Sequence, residues 1–109
     1  MLKKRYSFIA VFHYDEDGIA IEFPDLPGCY PYADADDTEG ALANAQEALG
    51  LHLYGMEQDN EPIPQPSSLA SLTIPKGSMP VLISVFMPAI RERAKNSFVK
   101  NTRNPDITF

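Results

Sequence analysis

Glu22-Phe23-Pro24-Asp25-Leu26-Pro27-Gly28-Cys29 is the stretch whose reading decides the fold. Pro24 has no backbone N–H to give, so it closes the alternating run ahead of it. Pro27 followed by Gly28 supplies the fixed φ and then the positive φ that a type II turn needs at its two central positions. One short segment therefore ends a strand, turns the chain and begins another.

Towards the N-terminus, residues 5–14 alternate, with Tyr6, Phe8, Ala10, Phe12 and Tyr14 on one face and Ile9 and Val11 on the other. Period two predicts a strand, and apolar groups on both faces predict that both are covered. Asp15-Glu16-Asp17-Gly18 reads as a hairpin loop, after which Ile19, Ile21 and Phe23 resume the alternation.

Towards the C-terminus, Cys29 to Asp34 predicts a third short strand, with Pro31 facing an open edge because it cannot donate to a ladder. Asp37 is placed to cap a helix over 38–57, where its carboxylate can accept from orphan backbone N–H groups. Leu42, Ala45, Leu49, Leu53 and Met56 recur at spacings of three and four, giving one apolar stripe with the small Ala41 and Ala48 at its margin. Gly40 and Gly50 each cost roughly 1 kcal/mol against Ala, so packing has to hold this helix. Leu51 and Tyr54 fall on the opposite side, where either the following loop or a partner must cover them. The proline-rich segment from Gln58 to Ser68 predicts an extended loop, Leu69 to Ile74 a short helix or turn, and Val81 to Met87 a buried strand.

The expected architecture is α+β: a β-β-β-α-β order, an antiparallel sheet and one long helix packed on one of its faces. Residues 1–87 form the expected domain. Residues 88–109 form a basic tail, opening with a short amphipathic turn or helix that carries Arg91, Arg93 and Lys95 and ending in a loosely held stretch. Ile9 and Val11 on the second sheet face, with Leu51 and Tyr54 on the helix, are the candidates for contact between subunits.

With 109 residues, the chain can bury a single modest core that a second subunit would help to stabilise. Charge is uneven. Residues 1–87 carry four basic and 13 acidic groups, a net of −9, whereas residues 88–109 carry five and two, a net of +3. An acidic body repels nucleic-acid phosphates and attracts basic proteins. The single cysteine, Cys29, cannot form an internal disulfide, no basic-then-apolar leader opens the chain, and no apolar run reaches the roughly 20 residues that span a bilayer. These features point to a cytoplasmic protein without a membrane segment.

The stretch from Tyr6 to Leu53 resembles the N-terminal domain of HicB-family antitoxins, the partners of small HicA-type RNA-cleaving toxins. Asp17-Gly18, the run Phe23-Pro24-Asp25-Leu26-Pro27-Gly28-Cys29, the acidic start at Asp36-Asp37, the helix with Asn44, Ala45, Glu47 and Ala48, and Ile63-Pro64-Gln65-Pro66-Ser67 carry the likeness. The resemblance implies a sheet similar to part of an RNase H fold, an antitoxin that forms homo-oligomers, and a HicA-like toxin as its partner. It implies no catalysis and no cofactor.

The chain departs from the family pattern in three places. Ala35-Asp36-Asp37 followed by Glu39-Gly40 leaves the capping box at the helix start incomplete. Gln65 stands where the pattern looks like Glu. Val99-Lys100-Asn101-Thr102 looks like the start of a small DNA-binding module, but Arg103 to Phe109 is too short to complete a ribbon-helix-helix or helix-turn-helix unit. DNA binding is therefore not expected from this chain alone, and a truncated or frame-altered form of the family pattern fits the departure.

Chemistry-bearing residues are few. His13 and His52 have no second Cys or His at ligand spacing, so both read as packed or surface residues and no metal site is expected. Glu22, Asp25, Asp34, Asp36 and Asp37 gather near one end of the expected sheet, where they suit either a metal-dependent nuclease or an acidic face for a basic toxin. Turn and cap roles already account for Asp25, Asp36 and Asp37. That favours toxin contact through Glu22, Asp25, Asp34 and Asp36, with an orphan dimeric scaffold as a further alternative.

Overall fold

Strand β1 (Arg5–Tyr14) runs through the middle of the protein and is paired on both sides. The computed structural model describes residues 3–96. After β1 come β2 (Ile19–Glu22), β3 (Tyr32–Ala33), the long helix α1 (Thr38–Gln58), a 3-10 turn at Leu69–Ser71, β4 (Ser78–Phe86) and a second helix, α2, over residues 87–96. The four strands form one antiparallel sheet in the order β3-β2-β1-β4. The expected α+β class and β-β-β-α-β order are therefore present, with α2 added. The segments Val99–Thr102 and beyond, where the likeness to a DNA-binding module and the loosely held end were placed, lie outside the described residues.

Phe8, Ala10 and Phe12 of β1, Ile19 and Ile21 of β2, and Ile83 and Val85 of β4 face α1 and are buried there with Phe23 and Leu26. The opening stretch supplies two turns in succession. Leu26 N–H donates to the Phe23 carbonyl (2.9 Å), and Cys29 N–H donates to the Leu26 carbonyl (3.2 Å). The second is the expected turn, with Gly28 at φ 98° in its third position, a region open to glycine at no steric cost.

Strand β3 is shorter than Cys29–Asp34. Cys29 is consumed by the turn and Pro31 offers only its carbonyl, which accepts from Ile21 N–H at 3.0 Å, so ladder pairing is confined to Tyr32 and Ala33. Pro31 does not turn its missing donor to the open edge as expected: its carbonyl accepts from Ile21 N–H, so the two residues face each other as a hydrogen-bonded pair and the proline nitrogen points at β2, which ends the ladder there.

Asp37 caps α1, its Oδ1 accepting from Gly40 N–H at 2.8 Å, so the incomplete capping box still closes the helix start. At the other end Asn60 adopts φ 56°, and Glu61 N–H reaches back to the Met56 carbonyl at 2.9 Å, a left-handed stop that satisfies the last turn.

The buried stripe of α1 is Ala41, Ala45, Leu49, Gly50 and Leu53, with Met56 partly buried against the core; it keeps Ala45, Leu49 and Leu53 of the expected stripe and has Ala41 in place of Leu42. Leu42 is 41% exposed. Presenting alanines to the sheet lets the helix axis approach closely, and the bulkier Leu42 is displaced towards the β4 edge. Gly50 is a second point of close approach, because a Cβ there would meet the side chain of Ile90 on α2. Buried Met87 and Ile90 thus join the core, and α2 lies against the C-terminal half of α1.

Arg91 fixes that packing. Its Nε donates to Glu57 Oε1 at 2.9 Å and its Nη2 to Glu57 Oε2 at 2.7 Å, with a further bond from Nη2 to the Lys3 carbonyl at 2.6 Å. The Glu57 side chain is only 3% exposed, and its hydrogen bonds raise the already high pKa of Arg91, so the guanidinium stays charged.

Candidate protein-binding surface

The expected contact residues occupy three different settings. Glu22 lies on the sheet face away from α1, where its Oε1 is 2.7 Å from His13 Nε2, and His13 Nδ1 is 2.8 Å from Ser78 Oγ. The order acid, histidine, serine is that of a proton relay. It follows here from strand register alone, because His13 stands directly opposite Ser78 and diagonal to Glu22.

Asp25 is half-buried and accepts from Ser67 twice, from N–H at 2.8 Å and Oγ at 2.6 Å. It ties the proline-rich loop to the Phe23–Cys29 turns and is spent on that structural task.

Asp34 and Asp36 are exposed, and the pairing of β2 with β3 brings a second acidic segment beside them. Ile19 stands opposite Ala33, and Tyr32 Oη donates to the Asp17 carbonyl at 2.9 Å, so the Asp15–Asp17 loop and the Asp34–Glu39 segment share one corner at the β3 edge. Asp15, Glu16, Asp17, Asp34, Asp36, Asp37 and Glu39 are all exposed there. Among the described residues, none of them forms an ion pair. Asn44 on α1 holds the corner in place by donating to the Tyr32 carbonyl at 2.7 Å.

Two tyrosines flank the acids: Tyr14, next to Asp15, and Tyr32, bonded to the Asp17 carbonyl, 44% and 52% exposed. Rigid amphipathic rings beside unpaired charge are what protein interfaces favour. Residues 15–17 were legible in sequence only as hairpin chemistry. What places them in a surface is the β2–β3 register, which a pattern of single strands does not carry.

The residues expected between subunits divide as well. Val11 is 2% exposed within the single chain, Ile9 and Tyr54 are half-buried, with Tyr54 packed against the core, and Leu51 is exposed. Only Leu51 of the four is an open side chain. Among the described residues, no group of three or more His, Cys, Asp or Glu side chains is arranged to hold a metal ion. The gathering of Glu22, Asp25 and Asp34 to Asp37 that a two-metal nuclease needs is thus not formed: Glu22, Asp25 and the capping Asp37 each serve a separate local contact.

Cys29 is buried, and burial pushes its thiol from an ordinary value of 9.0 up to about 11. Thiolate is the reactive form, so the native protein will resist alkylation at pH 8, while denatured protein labels readily. The folded state holds this proton where the unfolded chain has released it, so stability falls as pH rises between 9 and 11. The loss is at most roughly 3 kcal/mol. Urea titrations of wild type and Cys29→Ala across that range will diverge if this holds.

The comparisons with other proteins agree with one another. The fold is similar to a toxin-antitoxin complex chain from Streptococcus pneumoniae, with a TM-score of 0.69 and 20% identity over 78% of this chain and 71% of that one. It is also similar to a chain of the HicA3 and HicB3 toxin-antitoxin complex, with a TM-score of 0.58 and 18% identity over 73% and 98%. At such identities the likeness concerns the fold. In sequence, an uncharacterized 14.9 kDa protein from the rep-hol intergenic region of Haemophilus phage HP1 (strain HP1c1) is 39% identical over 49 residues, 45% of this chain. The matched stretch spans about a third of that relative, 35% of its length. Residues 8–100 match the HicB-like antitoxin family of bacterial toxin-antitoxin systems, and the chain belongs to that family.

Proposed function

We propose that this chain neutralises a small, basic, HicA-like mRNA-cleaving toxin by binding it and covering its RNA-contacting surface, with no chemistry performed on the antitoxin side. The observation that carries this reading is the acidic corner at the β3 edge, where exposed carboxylates without ion pairs among the described residues stand beside exposed Tyr14 and Tyr32. Membership of an antitoxin family supports it. A basic toxin would be drawn in by the field of these carboxylates, and the tyrosines would set how long it stays.

The test is co-expression with the product of the adjacent reading frame, which this reading requires to be a small basic protein. Wild type should co-purify with it and relieve its toxicity. Asp34→Lys/Asp36→Lys should slow association about 10-fold or more and weaken the salt dependence, whereas Glu22→Gln, on the far sheet face, should not. If no basic partner co-purifies and toxicity persists, the reading fails. If binding survives the double charge reversal, the acidic corner is not the contact surface.

A further inference from the structure

We infer that the edge strand β4 pairs antiparallel with β4 of a second copy of this chain across a two-fold axis at Leu82, joining two four-stranded sheets into one. Strand β4 is nine residues long, lies at the open side of the sheet and carries no charged residue. Proteins normally guard such an edge with charge, because its free N–H and C=O groups template pairing. Leu82, Met79 and Phe86 are 65%, 53% and 43% exposed along it, and Leu42 from α1 lines a groove beside it with Gln46, Ile83 and Ser84.

The backbone hydrogen bonds identify the occupant. Met87 N–H donates inward to the Lys4 carbonyl at 2.7 Å, which continues the β1–β4 ladder and turns the amide groups of odd-numbered β4 residues towards β1. Even-numbered residues therefore present theirs outward. Pro80 is one of them, so its missing N–H costs the β1 ladder nothing. Ser84 is another, and its carbonyl already accepts from Gln46 Nε2 at 2.9 Å.

An axis at Leu82 sets Leu82 opposite its own copy and Ser84 opposite the second copy's Pro80. The two leucines exchange both bonds of a hydrogen-bonded pair. Ser84 N–H then donates to the Pro80 carbonyl, and Pro80 has no N–H to return. The Ser84 carbonyl that would be left empty is the one Gln46 fills. At the strand ends Phe86 N–H meets the Ser78 carbonyl, and Ser78 N–H is already taken by the Pro75 carbonyl at 3.0 Å.

Moving the axis one residue towards Ser84 aims Leu82 N–H at the occupied Ser84 carbonyl, and moving it the other way leaves the Leu82 carbonyl facing Pro80. The strand is thus complementary to itself in one register, which is what an isologous interface requires. The paired edge is opposite the β3 edge, so both acidic corners stay open at the far ends of the assembly, and the inference does not depend on toxin binding.

Sedimentation of the 109-residue chain should give twice its 12.1 kDa across micromolar concentrations, and Leu82→Arg, which puts two like charges on the axis, should give the single-chain mass with an unchanged far-UV spectrum. Without reductant, Leu82→Cys should form an intermolecular disulfide, since opposed residues of a hydrogen-bonded pair lie about 5.5 Å apart at Cα, within disulfide reach. Ala20→Cys, exposed on β2, should not. A wild type that remains at single-chain mass overturns the inference. So does a dimer in which Leu82→Cys fails to cross-link, and this second variant decides the matter if Leu82→Arg does not fold.

Discussion

Arg91→Met is expected to destabilise the protein by about 3–5 kcal/mol, measured by urea unfolding followed by circular dichroism. Glu57 is nearly sealed from water, with its side chain 3% exposed, and both of its oxygens are held by Arg91. Removing the guanidinium leaves a buried charge unpaired and also frees the Lys3 carbonyl. Each kcal/mol lost is worth about 4–8 °C in melting temperature for a domain of this size.

The double replacement Glu57→Met/Arg91→Met should recover most of the loss, because exchanging a buried ion pair for apolar side chains is often neutral or better. Arg91→Lys should not rescue, since a single ammonium cannot make the paired contacts of a guanidinium fork. If Arg91→Met costs less than about 1 kcal/mol, the pair does not act as the clasp between α1 and α2.

Leu49→Ala should cost about 3–5 kcal/mol and Leu42→Ala less than about 0.5, when both are made in the Leu82→Arg background so that dimerisation does not intervene. Leu49 is at the centre of the buried stripe and fully enclosed, while Leu42, two helical turns earlier, is exposed. Spacing alone assigns both leucines to one stripe, so the contrast separates the observed helix orientation from the expected one. Comparable losses at the two positions would mean that α1 is rotated from its described placement.

Much of the fold could be read from single residues with strong local preferences. Asp15-Glu16-Asp17-Gly18, Pro27-Gly28 and Asp37 each specify a backbone event within three or four residues, and all three occur where they were expected. The exchange of Leu42 for Ala41 at the N-terminal end of the stripe on α1 was not legible. Ala41 and Leu42 are consecutive residues flanking the same helix face, and the choice between them depends on how close the sheet allows the axis to come, a property of the assembled pair. The acidic corner divides in the same way. Asp34 and Asp36 were expected to contact a partner, and their pairing with Asp15–Asp17 comes from strand register. Glu22 and Asp25 were included for their charge, while His13 and Ser67, which engage them, are distant in sequence or carry no signal of their own.

The central strand β1 also has a consequence for how the protein is made. Its hairpin with β2 can form once Glu22 has been synthesised, but its other flank, which pairs Arg5 with Phe86, has to wait for β4. At ordinary rates of about 5–20 residues per second, the intervening stretch takes roughly 3–13 s to emerge. Throughout that interval the nascent chain carries an aromatic-rich strand with one bare ladder. Such a chain has good reason to be bound by a chaperone, or met by its neighbour on the same polysome, before it is complete.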